Sequence, residues 1–432
     1  MKAEWICSEE RKRWSRRNPK AGRSGADLFV RVTGERFQAI RGIGGCFNEL
    51  GAIALGWLSP KDRKRVLDEL FQPGEGCNFN YCRMPIGASD FGASWYSLNE
   101  TDGDFAMKHF TVERDRRILM PFIKEAVRRR PDLYLFASPW SPPTWLKFPK
   151  VFNYGKVVWE PKYLKALALY FLKVVRAYAA EGITINAIHP QNEPVADQKF
   201  PSCLWTGAEM RDFIRDYLGP LFEREKVPAE VWLGTLNVDN YEDYPLTVLS
   251  DPVARKYVKG IAYQWWGKAI IQKTRAAWPG VPLIQSENEC GDGRNTWDYA
   301  HYIFNLMHHY FTNGVEAYTY WNMVLPAGGR STWGWTQNSM VCVDQARKKA
   351  VFNPEHYLMK HFSRFAPRGS ARLGTAGPWS GNAVAFGAPG GATAVVLQNP
   401  LHEAKAVTVE AGGTAHELVL PARSFSTLHL GR

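Results

Sequence analysis

From about residue 40 onward, short and nearly continuous apolar runs alternate with longer stretches of helical period. The apolar runs are Ile40–Phe47, Phe79–Ile86, Leu133–Trp140, Ile185–Pro190, Val231–Leu236, Val258–Trp265, Leu283–Glu287 and Ala317–Leu325. Runs of this length without polar alternation read as strands buried on both faces. The segments between them carry helix signals. Ser59-Pro60 supplies an N-cap and a proline at the first helical position, and Asp115–Arg129, Pro161–Ala180, Gly207–Arg224, Ala269–Ala277 and Trp297–Phe311 follow the same logic. Leu164, Leu167, Leu169, Phe171 and Val174 give the third of these its helical periodicity. Eight strands, each followed by room for a helix, predict an α/β fold, a (β/α)8 TIM barrel with right-handed crossovers.

After Pro367 the pattern shortens. Ala383–Phe386, Thr393–Gln398, Ala406–Val409, Glu417–Leu420 and Ser426–Leu430 are separated by Gly, Pro and Asn turns, which predicts an antiparallel β-sandwich side domain. Leu28–Thr33 alternates in the same way and is placed with that sheet. The expected organisation is an N-terminal segment, 1–36, contributing a strand to the sandwich, a catalytic barrel over 37–366, and the sandwich over 367–432.

Composition changes this picture little. A hydrophobic fraction of 45% and a charged fraction of 22% are ordinary for a globular chain. The net charge of +12 comes from dispersed residues apart from Arg11, Lys12, Arg13, Arg16, Arg17 and Lys20, and from Arg128-Arg129-Arg130, where cations complement a helix C-terminus. No nucleic-acid motif accompanies it, so no nucleic-acid partner is expected. Seven scattered cysteines without a CxxC pair make no disulfide framework, and with only ten histidines no metal site is expected. No segment spans a membrane, the N-terminus has no apolar signal core, and no organic cofactor is required. As written the chain reads as cytoplasmic, or as secreted if a signal was removed ahead of this numbering. The 17 tryptophans and 18 tyrosines are abundant enough to furnish stacking surfaces for sugars as well as a core.

Two carboxylate clusters close predicted strands. His189-Pro190-Gln191-Asn192-Glu193-Pro194 follows the apolar run Ile183 to Ile188, and Ser286-Glu287-Asn288-Glu289-Cys290 closes another about a hundred residues later. Alone, an Asn-Glu-Pro is compatible with a solvated loop. On a barrel, however, Glu193 falls at the end of the fourth strand and Glu287 at the end of the seventh, and reactive groups of barrels sit at those ends. Two carboxylates facing one pocket are the minimal equipment for cleaving a glycosidic bond. Glu289 shares a face with Glu287 in an extended run, so alternation does not separate the two.

Several segments, in order, resemble glycoside hydrolases of the glucosylceramidase type, family thirty. They are Arg41-Gly42-Ile43-Gly44-Gly45, Arg83 to Phe91, Ala137 to Lys147, Gln191-Asn192-Glu193-Pro194, Arg211-Asp212-Phe213-Ile214 through Leu218-Gly219-Pro220, and Ile284-Gln285-Ser286-Glu287. The similarity runs from about Phe37 to Arg364 and extends plausibly to the sandwich. It implies a retaining β-glycosidase in which Glu193 is the acid/base and Glu287 the nucleophile, the family's Ser-Glu pair favouring Glu287 over Glu289. It also implies that Asp90 and Trp140 hold the hydroxyls of the nonreducing sugar, that Trp321 forms its floor, that Asn192 meets the 2-hydroxyl, and that Arg83 orients the carboxylates. In retaining enzymes the carboxyls lie about 5–5.5 Å apart. At an effective dielectric near 20 two such charges repel by roughly 3 kcal/mol. That is about two pKa units, lifting one glutamate from about 4.3 to about 6.

One departure stands out. Glucosylceramidases carry His-Trp-Tyr at the sixth strand's end, where this chain has Gln264-Trp265-Trp266. The tyrosine that bonds the nucleophile is replaced, and Trp265 and Trp266 are expected at the sugar instead. The resemblance therefore predicts hydrolysis of β-D-glucosides, glucosylceramide-like or aryl and alkyl, with a carbohydrate or glycolipid substrate and no stable membrane insertion. An endo-β-1,6-glucanase is the alternative within the same chemistry, ahead of a xylan- or fucose-directed enzyme. A catalytically silent carbohydrate-binding protein is the alternative outside it.

Overall fold

The computed structural model describes residues 2–22 and 27–431; residues 1, 23–26 and 432 of the expected terminal segments lie outside them. The eight predicted barrel strands all form, numbered here β1 (Gly42–Cys46), β2 (Tyr81–Ile86), β3 (Tyr134–Pro139), β4 (Ala187–Ile188), β5 (Glu230–Leu236), β6 (Val258–Gln264), β7 (Leu283–Glu287) and β8 (Ala317–Asn322). Each pairs in parallel with its sequence neighbours, and β8 pairs with β1 to close the barrel. Glycine lets β1 approach β2 closely, since a side chain at Gly44 would collide with the Tyr81 carbonyl.

One interior layer, Tyr81, Phe136, Ala187, Trp232, Ala262, Ile284 and Ala317, alternates large and small side chains from seven strands and plugs the barrel. His189 stacks on this layer, 4.7 Å from Phe136 and 5.9 Å from Trp232. Burial, first, and the nearby Arg83 charge hold its imidazole well below the usual range, so it is a neutral packing group.

The predicted helix Pro161–Ala180 forms as expected. Gly207–Arg224 is helical throughout but widens to a π-type turn at Ile214–Leu218, just ahead of Pro220, which has no N–H to donate. Asp115–Arg129 divides into Glu113–Arg117 and Leu119–Arg129. Helices Glu49–Gly56 and Pro354–Ser363 add to the expected set.

The C-terminal strands lie in a ten-stranded sheet that also takes Phe29–Ala39 and Ala371–Ala376. An unforeseen strand, Lys2–Ser8, pairs along its whole length with the last strand, Ser424–Gly431. All pairings are antiparallel except Lys405–Ala411 with Phe29–Ala39. Trp5 from near one edge and Leu418 from near the other share one apolar cluster with Val395 and Leu428, so the sheet folds over its own core. His361, on the helix Pro354–Ser363, ties this layer to the barrel by bonding Ser8 at 3.0 Å and Thr427 at 2.8 Å.

Candidate active site

The C-terminal ends of β2 to β7 converge on a cavity of about 440 Å3 whose walls include Asp90, Trp140, Glu193, Trp265, Trp266 and Glu287. Six of the nine residues singled out in the sequence therefore line one space. The other three stand directly behind it. Arg83 and Asn192 are buried beneath the carboxylates, and Trp321 stacks on Trp140 with ring centroids 5.0 Å apart. Trp321 thus supports the wall residue Trp140 and does not itself line the cavity, a correction to the expected floor.

Arg83 organises the centre. It projects from β2, is fully buried, and lies over the Trp140 ring at 4.5 Å. Its Nη1 donates to Glu287 Oε2 at 2.7 Å and its Nη2 to Asn192 Oδ1 at 2.6 Å. Asn192 Oδ1 also accepts from the Thr235 hydroxyl at 3.0 Å and from Gln264 at 3.2 Å. Three donors fix the carbonyl side of that amide, so the NH2 of Asn192 is its unused side, suited to a sugar hydroxyl.

Glu287 closes β7 and is tied from several directions. Besides Arg83, Trp265 Nε1 donates to Oε1 at 3.2 Å and Gln264 Nε2 to Oε2 at 3.3 Å. The indole of Trp265 thus supplies Glu287 with an N–H donor in a chain that lacks the tyrosine at 266. A left-handed backbone at Trp265, φ 48°, turns its ring inward while Trp266 points to the mouth, 68% exposed. Glu193 lies five residues beyond the end of β4 and is also left-handed, φ 48°. Its amide N–H donates to the Thr235 carbonyl at 3.1 Å, and among the described residues its side chain bonds to Gln264, at 3.2 Å to Oε1. The same Gln264 nitrogen meets both glutamates, so their nearest oxygens are no more than twice 3.3 Å apart.

This geometry divides the two carboxyls. Burial, then the charge of Glu287, pushes Glu193 up to about 8. The repulsion considered from sequence is the smaller cause and burial the larger, both acting in the expected upward direction. Burial raises Glu287 too, but Arg83, Trp265 and Gln264 all pull against it. Asp90 is driven well above the usual carboxylate range by burial first and then by the charges of Glu287 and Glu193, and its Oδ1 has no protein partner. Glu289 is held elsewhere: its carboxylate pairs with Lys268 and it does not line the cavity. The ambiguity left by alternation is thereby resolved in favour of Glu287 as the residue facing Glu193.

Sequence reasoning did not single out Gln264's bridge, Thr235, Phe200 or Trp335. The last two come from loops after β4 and β8 and meet over the cavity with centroids 5.4 Å apart. Gln264 alone had a visible signal, as the first residue of the Gln-Trp-Trp departure. Among the described residues no cluster of His, Cys, Asp and Glu could hold a metal ion, and no helix is long and apolar enough to cross a membrane.

Comparison with known proteins agrees with this arrangement. The chain is 32% identical over 429 residues to the lysosomal acid glucosylceramidase of Mus musculus, covering 90% of this chain and 81% of that one. It is 28% identical over 402 residues to an endo-1,6-beta-D-glucanase of Neurospora crassa, covering 87% and 82%. The crystal structure of SrfJ from Salmonella typhimurium superposes with a TM-score of 0.92 at 25% identity over 100% of both chains. Residues 40–366 match the glycosyl hydrolase family 30 TIM-barrel domain, so the chain belongs to that family and is a glycoside hydrolase.

Proposed function

We propose that the chain is a retaining β-glycosidase that removes terminal β-D-glucosyl units from glucosylceramide-like or aryl and alkyl glucosides, with Glu193 as acid/base and Glu287 as nucleophile. The observation that carries this reading is the unequal treatment of two glutamates that share one amide. Glu287 is held against a buried guanidinium, which stabilises its carboxylate. Among the described residues no cation pairs with Glu193, and burial with the Glu287 charge outweighs the more distant Arg83 charge to raise its carboxyl. Oxygens bounded by a common donor fit the about 5–5.5 Å separation of retaining pairs far better than the upper part of the about 6.5–9.5 Å range of inverting ones.

In the first step a Glu287 oxygen attacks the anomeric carbon, the glycosidic C–O bond breaks, and the Glu193 proton passes to the departing oxygen. Esterification removes the charge of Glu287, and with it one cause of the raised Glu193 pKa. The Glu193 carboxylate then takes a proton from water as that water attacks the anomeric carbon, releasing the sugar and restoring both groups. The NH2 of Asn192 is available to the 2-hydroxyl, and the free Oδ1 of Asp90 with the Trp140 face suits a glucose-like ring.

Action at chain ends is supported by the Phe200–Trp335 contact, which joins the loops after β4 and β8 across residues that line the cavity. The open side runs toward Trp266, where a leaving group would lie. The endo-β-1,6-glucanase reading draws on the Neurospora crassa relative and on that same exposed tryptophan. Product analysis on a β-1,6-linked gluco-oligosaccharide, against a lipid and an aryl β-glucoside, separates them. Glucose as the first product supports exo action, and internal fragments as first products overturn it.

A further inference from the structure

Gln264 ends β6 with its side chain entirely buried. The orientation of its amide is fixed by what surrounds the oxygen. The Ser286 hydroxyl donates to Oε1 at 3.0 Å, and Arg83 Nη1 donates to it at 3.4 Å. A guanidinium has no acceptor, so the amide oxygen must face Arg83 and the NH2 must face the other way. On that other side stand three oxygens: Asn192 Oδ1 and Glu193 Oε1, both at 3.2 Å, and Glu287 Oε2 at 3.3 Å. Two N–H bonds serve three acceptors, one at the end of β7 and two in the loop beyond β4.

An amide NH2 only donates, so Glu193 Oε1 meets it with a lone pair. A proton carried by Glu193 is thereby confined to the other oxygen, Oε2. Because Ser286 and Arg83 hold the amide from behind, Gln264 cannot flip to offer its oxygen without facing a carbonyl to the Glu287 carboxylate and an NH2 to a guanidinium. The charged and titratable groups around it are Arg83 from β2, Glu193 after β4 and Glu287 from β7, with Asp90 and Cys290 set against the two carboxyls. None of these substitutes for the amide at Glu193 Oε1.

We infer that Gln264 is a positioning residue that places the catalytic proton on Oε2 of Glu193 while holding Oε2 of Glu287, so that one neutral side chain registers both carboxyls against a single sugar. The inference rests on Glu193 being the acid/base, and its test keeps the two apart. Gln264→Met keeps length and removes the donor. Gln264→Glu keeps shape and donates only while its new carboxyl is protonated. Both are compared with the parent enzyme and with Glu193→Gln on an alkyl β-glucoside, which needs acid assistance, and a dinitrophenyl β-glucoside, which does not.

Gln264→Met is expected to lose at least about tenfold in kcat/KM on the alkyl glucoside and clearly less on the dinitrophenyl glucoside. Its basic pH limb should move upward, because a hydrogen bond favouring the Glu193 carboxylate has gone. Gln264→Glu should recover alkyl glucosidase activity toward acid pH and lose it as the new carboxyl ionises. Equal losses on both substrates with an unmoved basic limb in Gln264→Met, or a Gln264→Glu profile parallel to the parent's, overturn the inference and leave Gln264 a filler of space. Equal losses in Glu193→Gln itself overturn the acid/base assignment, and the inference falls with it.

Discussion

The ends of β4 and β7 present the same side chain to the same cavity and treat it in opposite ways. At the end of β7, Glu287 receives a guanidinium, an indole and an amide within 3.3 Å. Beyond the end of β4, Glu193 receives the amide alone. Both are buried, so desolvation raises both; what differs is the number of charge-stabilising partners. The lesson is that a fold need not choose different residues for nucleophile and acid. It can place one buried cation, Arg83, on one side of a pair and let burial do the rest.

The most severe way to break this asymmetry is to remove the nucleophilic side. Glu287→Gln should lose at least about 10⁴-fold in turnover on every glucoside, whatever the leaving group. A mechanism-based fluorosugar should label the parent at Glu287 and fail to label this variant. A labelled peptide carrying Glu289 would reverse the assignment that the Lys268 pair supports.

Removing the protonated side should be gentler and selective. Glu193→Gln should cost about 10²–10⁴-fold on alkyl glucosides, while the glycosylation step of dinitrophenyl glucosides, read as burst phase in stopped flow, stays near the parent rate. In the parent, the basic limb of kcat/KM should follow the raised carboxyl of Glu193, with activity held through neutrality and lost as pH passes about 8. A basic limb near the ordinary glutamate value would remove Glu193 as the acid.

Arg83 is the source of the difference, and Arg83→Met should erase it. Breaking a buried pair by deleting one partner costs about 3–5 kcal/mol, here read as a lowered midpoint in urea. Glu287 should then retain its proton to higher pH, and the acid limb of the activity profile should move upward. An unmoved acid limb would mean that the indole of Trp265 and the amide of Gln264 suffice without the guanidinium.

Much of this frame was legible because buried parallel strands announce themselves as apolar runs. Even β4, reduced to Ala187–Ile188, lay inside a readable stretch. Strand Lys2–Ser8 was not legible, because its partner lies more than four hundred residues away and its own short pattern is ambiguous. Among site residues, Glu193 and Glu287 were legible because a carboxylate closing an apolar run is conspicuous, whereas Asp90 and Arg83 were legible only through the family resemblance. Gln264, Thr235 and the Phe200–Trp335 contact were missed because neutral or aromatic side chains acquire a role only from partners on other strands and loops. The rivalry of Glu287 and Glu289 gained from the third dimension too, since Glu289 pairs with Lys268 while Glu287 meets Arg83, Trp265 and Gln264.

The smallest expected effect is on stability, and it sharpens the comparison because the two ends should respond to different degrees. A carboxyl whose folded-state pKa is raised keeps its proton after the unfolded chain has lost it. Its favourable share is complete below the unfolded value of about 4.3 and drains away as pH climbs toward the folded value, so stability falls over that window. For Glu193 the window reaches about 8. Glu193→Gln has no such proton to lose, so its Tm should match the parent near pH 4 and exceed it by about 2 °C or more at pH 8, read by calorimetry across pH. Glu287→Gln should gain less than Glu193→Gln over the same range, since burial raises Glu287 as well but Arg83, Trp265 and Gln264 oppose that rise. Parallel Tm curves for the two variants would show that their surroundings are energetically alike, and the division of labour between the two strand ends would then have to come from the bound sugar alone.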